Sequence, residues 1–222
     1  MTERQPDMQT WAIVAIIAVI AADVIFELYS RNRQNSLSKK AMELMMEGKY
    51  SEVEELADSK EMMRSFPPYN RLYLKLNCAM MQQKNKETEA LLKEFETIRM
   101  NDSQRTALYS MAFQYYLPLE EQSLCADYKI KIDGLKGSEK LKKYADRAYD
   151  VVYKKDTSHL EELKAETAAL PIEQRGSNDY LIAQIYKNLG DQDNQQAWMM
   201  QMQKDLAAAV DSSRNQSQQQ NQ

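Results

Sequence analysis

The chemistry a chain can do is bounded first by its imidazoles, thiols and paired carboxylates. In these 222 residues there is one histidine, His159, in "DTSHLEE". With no second histidine to share a metal ion and no cysteine beside it, its expected place is the surface of a starting helix. Cys78 and Cys125 lie within apolar helical patterns and are expected as small, reduced, buried side chains. Glu54-Glu55, Glu120-Glu121 and Glu161-Glu162 stand near expected helix starts. There they suit the helix macrodipole better than general acid–base work. No Walker-type loop, Gly-rich dinucleotide turn or G-x-S-x-G is present. The expectation is no catalytic, cofactor-binding or metal-binding residue, no small-molecule substrate, and no enzyme.

What remains is recognition chemistry, carried by 14 methionines and 13 tyrosines. Adjacent methionines such as Met45-Met46 and Met80-Met81 put one side chain inward and one sideways on a helix, so core filling is their first role. Exposed members would supply adaptable sulfur-rich contacts. The formal charge of −4 leaves no basic footprint for nucleic acid.

The elements that must position these groups are helical. Five glycines and five prolines leave little turn chemistry for sheets, and Ala, Leu, Glu, Lys, Gln and Met dominate. The predicted class is all-α. A polar tail over 1–10 precedes an apolar stretch over 11–29, from Trp11 to Tyr29, read as a single transmembrane helix. It would span ~27 Å at ~1.5 Å per residue, against a hydrocarbon core of ~30 Å. Asp23 and Glu27 share one face near its end, within reach of headgroups. Val19-Ile20-Ala21 would also serve as a signal-cleavage site, but only Arg4 is basic upstream and the apolar run continues past it. Arg31, Arg33, Lys39 and Lys40 follow the span, so the positive-inside rule puts the C-terminal part in the cytoplasm. Residues 30–36 read as a basic juxtamembrane linker and 37–210 as one domain. Residues 211–222, with no large apolar side chain, read as a disordered Gln/Asn/Ser-rich tail.

Within 37–210 two stretches repeat a design. "LSKKAMELMMEGKYSEVEELADS" places Ala41, Leu44 and Met45 before Gly48, then Tyr50, Val53 and Leu56. "DYLIAQIYKNLGDQDNQQAWMMQM" places Ile182, Ala183, Tyr186 and Leu189 before Gly190, with Ala197 after it. A small residue lets two helices approach, glycine permits the reversal, and large apolar residues fill the gaps between hairpins. Three weaker stretches break at Asn85, at Pro118 (expected to open a second helix) and at Asp156 to Ser158. "IDGLKG" and "LPIEQRGSND" read as loops between the later units, and Ala197 falls two residues late, which predicts a longer last turn.

Ala41 and Ala183, Leu44 and Tyr186, Gly48 and Gly190, with Tyr50 in the second helix, resemble the tetratricopeptide repeat, a helix–turn–helix unit of about 34 residues. The resemblance implies an α-solenoid of about five hairpins, whose first helices line a concave groove for a helix or extended peptide. Carried over unit by unit, it points to Met42, Lys75, Gln82, Tyr149, Tyr153, Tyr180, Gln184 and Lys187 as groove residues. Their lysine, amide and phenol groups would suit a peptide of acidic character. The function expected is a membrane-anchored interaction scaffold or adaptor whose partner is another, membrane-associated protein. The alternative is an extracytoplasmic accessory chaperone of a secretion or membrane-assembly machinery.

Overall fold

The computed structural model describes residues 31–219, and all regular structure among them is helical. The all-α expectation therefore holds for these residues, but its membrane component does not. No described helix is both long enough and apolar enough to cross a bilayer. The longest, over Gln192–Gln219, has 28 residues but is rich in glutamine, asparagine and charge. The stretches 1–10 and 11–29 lie outside the described residues. The transmembrane helix and the single-pass localisation with a cytoplasmic domain are accordingly withdrawn. Residues 31–36, expected as a linker, are helical instead.

The chain divides into two compact units at Met100/Asn101. In the first, α1 covers 31–46 and is followed by α2 (Tyr50–Ala57), α3 (Lys60–Ser65), α4 (Pro68–Met81) and α5 (Asn85–Phe95). Leu37, Ala41 and Leu44 recur at the spacing of one helical face, and they pack with Val53, Leu56, Met62 and Cys78. The short α3 was not anticipated. Ser59 caps it, its side chain accepting from the Met62 amide at 3.1 Å. Pro68 then sits in the first turn of α4, where its missing N–H costs nothing.

The second unit runs α6 (Asp102–Tyr116), α7 (Gln122–Asp133), α8 (Glu139–Tyr153), α9 (Leu160–Ala169), a 3-10 turn (Ile172–Gln174), α10 (Gly176–Leu189) and α11 (Gln192–Gln219). A capping box opens α6: the Asn101 side chain accepts from the Gln104 amide, and the Gln104 side chain accepts from the Asn101 amide. Phe113, Tyr116, Cys125, Ile132, Ala148, Val151, Leu163, Ile182 and Ile185 form the buried interior. Both cysteines are buried thiols without a disulfide. Pro118 lies in the turn after α6, and α7 opens only at Gln122. The helix α10 begins at Gly176, inside the stretch expected as loop.

Every hairpin turn carries one left-handed residue: Gly48, Gln83, Glu120, Lys155 and Gly190, with φ of 72°, 54°, 56°, 59° and 75°. Three turns close identically. The amides of Gly48 and Lys49 donate to the carbonyls of Met45 and Leu44, those of Gln83 and Lys84 to Met80 and Ala79, and those of Gly190 and Asp191 to Lys187 and Tyr186. This is the paired Schellman closure of a helix C-terminus. The last turn is thus tight, not lengthened, and Ala197 is exposed rather than packed between helices. Finally, α11 continues to Gln219, so 211–219 are helical where composition predicts disorder. Once a helix is nucleated, each further alanine or glutamine extends it at little cost, and no Gly or Pro intervenes.

Candidate functional site

The eight expected groove residues fall into two groups. Met42, Lys75 and Gln82 belong to the first unit, and the other five to the second. In the first unit, two of the three are engaged with α2 and its end. Lys75 Nζ lies 2.6 Å from Asp58 Oδ2. Gln82 Nε2 donates to Glu54 Oε1 at 3.2 Å and to the Cys78 carbonyl at 3.1 Å. Lys84 Nζ also reaches Glu54, at 3.5 Å. These polar groups tie the first hairpin to the second. Met42 alone stands well exposed, alongside Met46, Met63 and Met81 among the exposed apolar side chains of this unit.

In the second unit the remaining five cluster. Tyr149 and Tyr153 are one helical turn apart on α8, their ring centroids 4.9 Å apart. Gln122, at the start of α7, donates to the Tyr149 hydroxyl at 3.3 Å. From α10, Tyr180 and Gln184 stand half-buried beside them, and Lys187 is exposed. Asn188 Nδ2 donates to the Val151 carbonyl at 2.8 Å and fixes the register of α10 against α8. Burial raises the Tyr153 and Tyr180 hydroxyl pKa values above the ordinary phenol range, so both are neutral at physiological pH, and the Tyr153 hydroxyl itself is buried toward Cys125. Lys187 Nζ lies 3.0 Å from Glu120 Oε1, and this partner holds the Glu120 carboxyl below its usual range. The lysine offers less net charge to an acidic guest than its identity suggests.

A cleft of about 150 Å³ opens on the same side of α6, α8 and α10, lined by Gln114, Leu117, Pro118, Tyr144, Ser177 and Tyr180. Side chains of α6, α8 and α10 thus line one cleft. That face is aromatic and amide-rich, with its charges paired. It can hold a peptide by ring contacts and hydrogen bonds. It brings no nucleophile together with a base. Cys125 is buried, its Sγ 4.0 Å from the Phe113 carbonyl, and burial pushes its thiol up to about 11, as it does for Cys78. His159 precedes α9, its ring nitrogens 3.6 Å from Asp156 and from Glu162.

Three polar features escaped the sequence reading. Arg147 is 7% exposed on α8 and pairs with Glu166 at 2.7 Å. Asp179 and Asp205 are buried carboxylates on α10 and α11. One signal was readable: Asp179 stands in register with Ile182, Ala183 and Tyr186, so the face that buries those residues buries an aspartate too. Compared with family models, with curated proteins and with solved structures, the chain matches none, and its likeness to the tetratricopeptide repeat rests on the hairpins alone.

Proposed function

We propose that the chain is a helical-hairpin interaction scaffold, similar in plan to tetratricopeptide-repeat proteins. It captures a peptide or helix of another protein on the α6–α8–α10 face. The observation that carries this reading is the convergence of Tyr149, Tyr153, Tyr180 and Gln184 beside the cleft lined by Tyr144 and Pro118. Tyrosine supplies large contact area with few rotatable bonds, and its hydroxyl satisfies a peptide backbone. Because Lys187 and Lys75 are both ion-paired within their own units, recognition of acidic character is a smaller part of the reading than ring contact.

Site-specific photocrosslinkers test it. A crosslinker at Tyr149 or Gln184 should trap a protein ligand as a discrete adduct, and the adduct should weaken in Tyr153→Ala and Tyr180→Ala chains of unchanged helicity. Adducts arising only from second-helix positions such as Glu161 would remove the face from consideration while leaving the helical scaffold intact.

A further inference from the structure

On α10, Asp179 is fully buried, and neither of its carboxylate oxygens has a hydrogen-bond partner among the described residues. Asp205 on α11 is 6% exposed. Its Oδ1 accepts from Gln201 at 2.5 Å, and its Oδ2 has no such partner. Both aspartates line one cavity of about 480 Å³, with Trp198 of α11, Lys164 and Thr167 of α9 and Arg175 also in its walls. That volume lies within the usual range for small-ligand sites. Lys164, Thr167 and the Arg175 Nε are engaged elsewhere, although the Arg175 charge still favours the ionised form of Asp179. Lys164 Nζ is 3.1 Å from Glu161 and 5.4 Å above the Tyr186 ring. Arg175 Nε donates to the Leu170 carbonyl at 2.8 Å, and Thr167 Oγ1 donates to the Leu163 carbonyl at 2.8 Å. No ion pair joins Lys164 or Arg175 to either aspartate.

A buried carboxylate without donors is costly, and a second carboxylate lining the same cavity adds to the cost of charging Asp179. Such an arrangement is relieved either by a proton or by a cation that pairs with the carboxylates. We propose that this cavity is an organic-cation site that takes a guanidinium group, with Asp179 and Asp205 as its anionic partners and Trp198 as its aromatic wall. A guanidinium is flat, carries donors along several edges, and can pair with two carboxylates while stacking on an indole face. Among the described residues no three metal-ligating side chains of the His, Cys, Asp and Glu types converge. A hard divalent ion, which wants six or more oxygens, is therefore poorly matched to this site. A primary ammonium would pair as well with one carboxylate but would gain less from the pair and from the indole.

The guanidinium can belong to a free small molecule or to an arginine side chain of a partner, and the test separates the two. Full-length chain is titrated with ethylguanidinium, with butylammonium and with a blocked tripeptide centred on arginine, at constant ionic strength. Fluorescence of Trp198, one of two tryptophans with Trp11, is the readout. Ethylguanidinium should quench saturably and bind at least tenfold more tightly than butylammonium. Asp179→Asn and Asp205→Asn should each weaken binding tenfold or more while circular dichroism is retained. A tripeptide tighter than ethylguanidinium assigns the site to a partner's arginine, and one equal or weaker assigns it to a free guanidine. Should a variant misfold, the unmutated chain decides. Its thermal midpoint should rise with millimolar ethylguanidinium and not with equimolar sodium. Absence of saturable binding, equal binding by the asparagine variants, or no guanidinium-specific rise would overturn the proposal.

Discussion

The two units use polar side chains differently. In the first, Lys75, Gln82 and Lys84 are spent joining hairpins through Asp58 and Glu54, at exposed or half-exposed positions. In the second, charge goes inside: Arg147 at 7% exposure, Asp179 at none and Asp205 at 6%. A surface tie is cheap to make and cheap to lose. A buried charge is costly to keep unless it finds a partner, a ligand or, for a carboxylate, a proton. Arg147 has the partner, in Glu166. Asp179 does not.

The comparison breaks most visibly at Arg147. Arg147→Ala removes the partner of Glu166 and the packing of the arginine stem, leaving that carboxylate with Lys143 at 3.5 Å. Because Glu166 keeps about a third of its exposure, the loss should fall somewhat below that of a fully buried pair, at ~2–4 kcal/mol in urea unfolding. A loss under about 1 kcal/mol would place this pair with the surface ties.

Asp179 should behave in the opposite sense. Burial first, and Asp205 second, push its carboxyl from 3.8 to about 6, with Arg175 opposing. A carboxyl whose folded pKa is raised holds its proton more firmly in the folded state. Stability from this group is complete below about pH 3.8 and is lost as pH rises through about 6. At ~1.4 kcal/mol per unit the full effect approaches ~3 kcal/mol. Asp179→Asn should therefore stabilise the chain by ~1–3 kcal/mol at pH 7.5 and by much less at pH 4. Equal effects at both pH values would show that the ionised form carries no penalty.

Ala183 and Ala41 occupy the same place in the last and first hairpins, at 1% and 5% exposure. Ala183→Leu should overpack α10 and cost ~1–3 kcal/mol, with Ala183→Ser milder and Ala41→Leu toward the lower end. An unchanged melt would mean that the small residue sets no helix spacing. The smallest effect belongs to the surface ties. Lys75→Gln, which removes a pair with Asp58 at 60% side-chain exposure, should cost ~0.2–1 kcal/mol and fade with added salt.

The helical scaffold was readable because it depends on spacing. Ala41, Leu44, Val53, Leu56, Ala148, Val151, Ile182 and Ala183 are buried as their periodicity requires. Asn85 starts α5, and Gly48, Pro118, Asp156 and Gly190 fall within turns between helices. The failures have physical causes. Met81 and Leu189 are apolar yet 63% and 54% exposed, because each closes a helix where the chain turns away from the core. Gln83, Glu120 and Lys155 adopt left-handed φ without being glycine, so the reversing residue itself carried no mark, although Asn85, Pro118 and Asp156 marked the breaks beside them. Asp205 looks like an ordinary solvated carboxylate until α10 and α11 are packed together, whereas the burial of Asp179 is marked by its register with Ile182, Ala183 and Tyr186. The one-turn spacing of Tyr149 and Tyr153 on α8 follows from the sequence, but the ion pairs that occupy Lys75 and Lys187 depend on turns whose geometry no local pattern encodes.

Those left-handed residues stand at 48, 83, 120, 155 and 190, so successive reversals are 35, 37, 35 and 35 residues apart. A chain punctuated so evenly has a natural quantum of growth. Duplicating or deleting one whole interval keeps the alternation of helices and reversals, although the interval from 48 to 83 holds the extra short α3, whereas an insertion of three or four residues within a helix displaces every following side chain from its neighbour. Length change in such a molecule is therefore tolerable in large steps and damaging in small ones.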